Sequence, residues 1–210
     1  MSEPGIEARR PLKSRSTAWA RWLARRLAQT RITPNQISLA SIGFALVGGL
    51  LLLRPGWPVA LVFAAICTQL RLLCNLLDGM VAVEGGKGTP SGALYNEIPD
   101  RVADSLLLIG AGYGLGLPWL GWLAALLAAL TAYVRALGGS LGLEQDFRGP
   151  QAKPHRMALL TVGCVLAAME GSWNGSHHAL TASLLLIVIG TAWTIARRTR
   201  AIAAELEDRG

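Results

Sequence analysis

Six apolar runs, each near the length that crosses a bilayer, constrain this chain more than any other feature. They cover about 36–53, 58–83, 92–116, 118–139, 156–171 and 178–197, against the roughly 20 residues a spanning helix needs. Pro55, Pro58, Pro118, Gly85–Gly86 and Gly149–Pro150 punctuate the boundaries. Charged residues make up 16% of the chain, against about 25% in soluble domains, and they cluster so that the apolar runs stay intact. The expectation is an all-α integral membrane protein: six transmembrane helices in one bundle, preceded by an amphipathic surface helix.

The basic residues set the expected orientation. Arg9, Arg10, Lys13, Arg15, Arg21, Arg25, Arg26 and Arg31 precede the first run, and Arg197, Arg198, Arg200 and Arg209 follow the last. Lys87, Arg148, Lys153 and Arg156 fall in or beside two of the connections, whereas the opposite side carries only Arg54. Positive charge stays on the cytoplasmic side, so both termini are expected in the cytoplasm and the chain in the cytoplasmic (inner) membrane. The net charge of +7 is explained by orientation and anionic headgroups. No nucleic-acid motif accompanies it, and no nucleic-acid partner is expected.

Residues 1–15 read as a disordered basic tail, 16–31 as an amphipathic juxtamembrane helix, 32–200 as the membrane domain and 201–210 as a cytoplasmic tail. In TAWARWLARRLAQ, residues 17–29, Trp19, Trp22, Leu23 and Leu27 can share one helical face with the arginines elsewhere. The basic N-terminal segment has no small-residue cleavage site and does not read as a secretory signal. Cys67, Cys74 and Cys164 lie in apolar runs without CxxC or Cys/His spacing, and read as small buried hydrophobes.

Ionisable groups at membrane depth cost about 2.5–3.5 kcal/mol each on insertion scales and usually mark function. Arg71, Asn75, Asp78 and Ala82 recur at helical spacing and form one stripe; Gly92, Asn96, Asp100 and Asp104 form a second. The turn between them, EGGKGTPS, is short, so the two helices should be antiparallel neighbours. Asn75, Asp78, Asn96 and Asp100 can then converge as hard oxygen donors for Mg²⁺, Mn²⁺ or Ca²⁺. The same side chains can instead form an interhelical polar network with Arg71, Glu97 and Arg101.

The stretch NLLDGMVAVEGGKGTPSGALYNEIPD, residues 75–100, resembles the CDP-alcohol phosphotransferase (CDP-alcohol phosphatidyltransferase) signature, D-x2-D-G-x2-A-R-x8-G-x3-D-x3-D, without a gap. ITPNQISL at 32–39 is similar to that family's entry into the first span. The resemblance implies transfer of a phospho-alcohol group from a CDP-alcohol, usually CDP-diacylglycerol, to an acceptor alcohol with release of CMP, in phospholipid biosynthesis. It implies metal ligands at Asn75, Asp78, Asn96 and Asp100, nucleotide contacts at Asp78, Gly79, Ala82 and Gly92, and Asp100 as the catalytic base. Membrane lipid and a homodimeric partner are implied as well.

The chain departs from that pattern at three positions. Asn75 and Asn96 stand where the signature has Asp, and Val83 stands where it has Arg. Two acids and two amides bring −2 where four acids would bring −4, so one Mg²⁺ or Mn²⁺ ion, or weaker binding of two, is expected unless Glu84 or Glu97 compensates. Arg135, Lys153 and Arg156 read as a pocket for an acceptor phosphate. An alternative follows from the departures: a catalytically altered or inactive relative that binds a CDP-lipid or nucleotide, or serves as a membrane partner subunit.

Overall fold

The computed structural model describes residues 17–209, so the expected tail 1–15 lies outside the described residues. The described residues form seven helices and no strand: α1 (Ala18–Ala28), α2 (Pro34–Leu52), α3 (Pro58–Glu84), α4 (Gly92–Gly114), α5 (Pro118–Ser140), α6 (Lys153–Trp173) and α7 (His178–Glu207). Their starts follow from local sequence. Thr33 and Gln36 close a reciprocal capping box on α2, with Pro34 in its first turn. Proline also occupies the first turn of α3, α5 and α6. Gly86 at φ +59° and Gly116 at φ +71° turn the chain where a side chain would be strained.

Four helices are long and apolar enough to cross a membrane: α2, α3, α5 and α7. The other two long helices carry charge. Glu97, Asp100, Arg101 and Asp104 lie on α4, and Lys153, Arg156 and Glu170 on α6. α7 also runs on as one helix to Glu207, through residues read as a separate tail.

The packing differs from the expected close pairing of α3 with α4. α2 packs extensively against both, while α3 and α4 touch little. The closest approach is made by glycines. A Cβ on Gly110 would meet the Cα of Gly49 at 2.8 Å, and one on Gly112 the Cα of Gly121 at 2.6 Å. The backbones of α2 with α4, and of α4 with α5, are therefore in direct contact, as small residues permit between membrane helices. α4 is drawn towards α2 and α5, which leaves space between α3 and α4 that side chains bridge.

α1 docks on α3 through Ala20 and Ala24, joined by Ile37, Leu76, Leu77, Met80 and Val81. Its buried face is thus the alanine face with Leu23 and Leu27 against it, while Trp19 and Trp22 are exposed, Trp19 also at the edge of a cavity between the helices. Cys67 and Cys164 are buried and Cys74 half-buried, all as free thiols.

Candidate active site

Between α3, α4, α5 and α6 lies a cavity of 820 Å³. One wall is apolar, with Val62, Ile66, Leu70, Leu73 and Val165; the other carries Asn75, Asn96, Glu97, Asp100, Arg101, Arg135, Lys153, Arg156 and Arg198. The wall's five basic residues against two acidic ones favour an anionic occupant.

Asp100 is the focus of the polar wall. It is 3% exposed, on α4 directly after Pro99. Pro99 has no N–H to give the Tyr95 carbonyl one turn back, so the helical ladder is interrupted beside the site. Arg71 Nη2 reaches the Asp100 carbonyl at 3.2 Å and its Oδ1 at 3.3 Å. Asn75 Nδ2 also donates to Oδ1. Lys153 Nζ, arriving from the first turn of α6, donates to Oδ2, and Arg101 stands 3.5 Å from the same oxygen.

One turn further along α4, Asp104 is closed in completely. Arg71 Nη2 bonds its Oδ1 at 2.6 Å and Arg156 Nη2 its Oδ2 at 3.1 Å. Arg156 Nη1 donates to the Gln151 carbonyl at 2.8 Å and to Thr131 Oγ1 at 3.4 Å. Arg198 of α7 holds the Thr131 carbonyl at 3.0 Å and the Arg148 carbonyl at 2.9 Å. The connection 141–152, whose Phe147 and Ala152 line the cavity, is thereby fastened to α7. Asp146 in that connection accepts from the Arg148 backbone at 2.7 Å and its side chain at 3.0 Å. Burial opposes its charge, but these bonds outweigh it and hold the carboxyl below its usual range.

The remaining residues singled out from sequence divide. Arg135 lines the cavity, bonded to Glu97 at 2.5 Å and to Gln145 at 2.9 Å, and stacks 5.4 Å from the Phe147 ring centre. Glu97 is therefore committed to Arg135 and to Arg101 at 3.6 Å, away from the acids. Asn96 is exposed and lines the cavity. Asp78, Gly79, Ala82 and Gly92 do not line it. Asp78 is 4% exposed and accepts from Ser38 Oγ of α2 at 2.6 Å and from Gly79 N at 2.5 Å. It lies within electrostatic reach of Asp100 and Lys153. A Cβ on Gly92 would meet only Thr89 Oγ1, at 3.6 Å, so no other part of the chain crowds that position.

Sequence reading missed Ser38, Thr131, Gln145, Gln151 and Arg198, and the hub role of Asp104. Asp104 did carry a signal, as the last member of the Gly92 stripe. The others are ordinary helix polars or flanking charges whose partners lie far along the chain. The interhelical network with Arg71, Glu97 and Arg101 and the convergence of Asn75 with Asp100 are both present, built from the same atoms.

Compared with known proteins, the chain is 31% identical over 189 residues to the phosphatidylinositol phosphate synthase of Corynebacterium glutamicum, covering 84% of this chain and 80% of that one. The chain belongs to the CDP-alcohol phosphatidyltransferase family. A second relative, the inner membrane protein YnbA of Escherichia coli, is 29% identical over 182 residues, 84% of this chain and 87% of that one. No family model matches the chain. Among solved structures, the phosphatidylinositol phosphate synthase of Mycobacterium tuberculosis with CDP-diacylglycerol bound superposes with a TM-score of 0.74 at 22% identity, over 87% of this chain and 92% of that one. The same enzyme in complex with manganese and citrate gives 0.73 at 21% identity, over 87% and 88%. These two establish the shared fold. Family membership and the apolar helices make the chain an integral membrane protein.

Proposed function

We propose that the chain transfers a phosphatidyl group from CDP-diacylglycerol, or a related CDP-alcohol, to an acceptor alcohol that carries a phosphate, with release of CMP. The observation that carries this reading is Asp100, a carboxylate on the wall of a cavity that is apolar on one side and basic on the other. The apolar side suits the lipid. The basic side, with Arg135, Lys153 and Arg156, suits a diphosphate and an acceptor phosphate. Arg101 and Arg156 each keep a buried Nε without a protein partner, which an anion or water can satisfy. The relatives named as phosphatidylinositol phosphate synthases support an acceptor of this type.

In the proposed reaction the acceptor oxygen bonds to the lipid-side phosphorus. The bond from that phosphorus to the bridging oxygen breaks, and its electron pair leaves with CMP. The acceptor proton passes to Asp100, which Arg71 and Arg101 keep ionised beforehand. Arg71, also fixed by Asp104, orients the carboxylate from the side away from the cavity.

The donor set fits one hard divalent cation, Mg²⁺ or Mn²⁺. Asp100 lines the cavity, Asn75 turns its amide nitrogen to Asp100 and so keeps its oxygen available, Asn96 lines the same wall, and Asp78 lies within electrostatic reach. Among the described residues no group of three or more His, Cys, Asp or Glu able to hold a metal occurs. Any ion is therefore held by a mixed set of acids and amides, whose −2 charge favours one ion, or weaker binding of two. When bound, the ion neutralises charge on the diphosphate. Asp78, Gly79, Ala82 and Gly92 are proposed to contact the nucleotide.

We further propose that α4 and α6 also cross the membrane. Asp100, Asp104 and Arg156 of these helices are buried in the bundle interior, and with six crossings both termini lie in the cytoplasm. α1 is proposed to rest on the membrane surface with Trp19 and Trp22 outward.

Asn75 and Asn96, where the family signature has acids, and Val83, 54% exposed where it has Arg, favour a second reading, a relative that binds a CDP-lipid without turnover. One experiment separates the two. Purified protein is assayed for CMP release from CDP-diacylglycerol with Mg²⁺ or Mn²⁺, offering inositol phosphate, glycerol phosphate and their unphosphorylated alcohols. Metal-dependent release preferring a phosphorylated acceptor is expected. No release above an Asp100→Ala control for any pair would leave only the binding role.

A further inference from the structure

We propose that Lys153 is a tethered cation that competes with the divalent metal for one oxygen of Asp100, so that the ion enters only as the ammonium withdraws. The inference rests on the metal-site reading above. The two oxygens of Asp100 are not equivalent. Oδ1 is taken by Arg71 and Asn75, both from α3. Oδ2 is held by two residues of the cavity wall, Lys153 from α6 and Arg101 at 3.5 Å. A metal bound to Asp100 from the cavity therefore meets Lys153 at Oδ2, where two cations on one oxygen repel in a largely dry site.

The surroundings suit a contact that breaks. Asp100 does not depend on Lys153 for compensation, since Arg71 and Arg101 both pair with it. Asp100 is the one hydrogen-bond partner of the Lys153 ammonium among the described residues. Arg71 and Arg156, by contrast, are each locked by further bonds and are nearly inaccessible. The lysine side chain is 23% exposed, on a flexible four-carbon stem at the cavity wall. An arriving diphosphate offers its ammonium a new anionic partner. Metal entry and substrate entry are thereby coupled, because the substrate removes the competitor.

The test reads metal binding rather than turnover. Mn²⁺ affinity of the full-length protein in detergent is measured by electron paramagnetic resonance of the free ion, without nucleotide or lipid substrate. Lys153→Gln is expected to tighten Mn²⁺ binding by about tenfold or more, while Lys153→Arg, which keeps the charge, leaves it at or below the parent's. Unchanged or weaker binding by Lys153→Gln overturns the competition and leaves the metal site standing. No Mn²⁺ binding by parent or variant overturns both. A second measurement needs no variant: acetic anhydride labelling of the parent, read by mass spectrometry at Lys153. Mn²⁺ is expected to raise labelling there; constant or reduced labelling counts against the competition.

Discussion

Asp100 and Asp104 sit one helical turn apart, yet their surroundings divide the work between them. Asp104 is locked between the Arg71 and Arg156 guanidiniums with no side open to the cavity. Replacing it by Ala leaves the buried Arg156 guanidinium without its carboxylate and Arg71 with Asp100 alone, and a loss of about 3–5 kcal/mol is expected, read as a lower midpoint in thermal unfolding in detergent. Asp100 faces the cavity, and Arg71 retains Asp104 when Asp100 is changed. Asp100→Asn is expected to keep the unfolding midpoint near the parent's while lowering CMP release about 10²- to 10⁴-fold, the range of a lost general base. Both acids stood out in the sequence as part of one stripe. Which is the reactive one and which the structural hub follows from their partners, and those sit on other helices.

Among the helices, α2 organises the bundle more than its plain sequence suggests. It packs on both α3 and α4, and its Gly49 meets Gly110 backbone to backbone. Gly110→Val is expected to force α2 and α4 apart and cost about 1–3 kcal/mol or more, as overpacking does. Gly43, also on α2, has nothing within 4 Å of its missing Cβ. Gly43→Ala should be neutral or slightly stabilising, since alanine is the better helix former; unfolding of the two variants side by side checks the contrast. Helix positions were legible from apolar length and proline boundaries. The pairing of α3 with α4 was not, because a short turn makes two helices successive without making them close. Glycine contacts elsewhere drew α4 away and opened the cavity.

For the molecule as a whole, charge asymmetry predicts which loops face which side. Cysteines introduced at Gly56 and Asn174, in the connections expected outside, should react with a membrane-impermeant maleimide on intact cells. One introduced at Gly88, in the α3–α4 turn, should react only after permeabilisation. Labelling at Gly88 in intact cells would reverse the proposed orientation. A cysteine introduced at Glu144, in the α5–α6 connection, tests six crossings. It should react only after permeabilisation, whereas with only α2, α3, α5 and α7 spanning it would react on intact cells. α4 and α6 carry too much charge to be recognised as spans by apolar length alone. Their charges are tolerable at membrane depth when paired inside the bundle, as Asp104 with Arg71 and Arg156 are.

Local pattern was enough for the helical membrane class, the helix starts and the two polar stripes. Each depends on residues within a turn or two of one another, and the 75–100 stretch carried the family resemblance in its own spacing. The site's working state depends on long-range contacts. Arg71 lies 29 residues before Asp100, Lys153 lies 53 after it, and Arg198 reaches back 67 residues to Thr131. Such pairs depend on how each helix is rotated and how closely glycines let backbones approach. Neither quantity is written in the order of residues along one helix; both emerge when the helices pack.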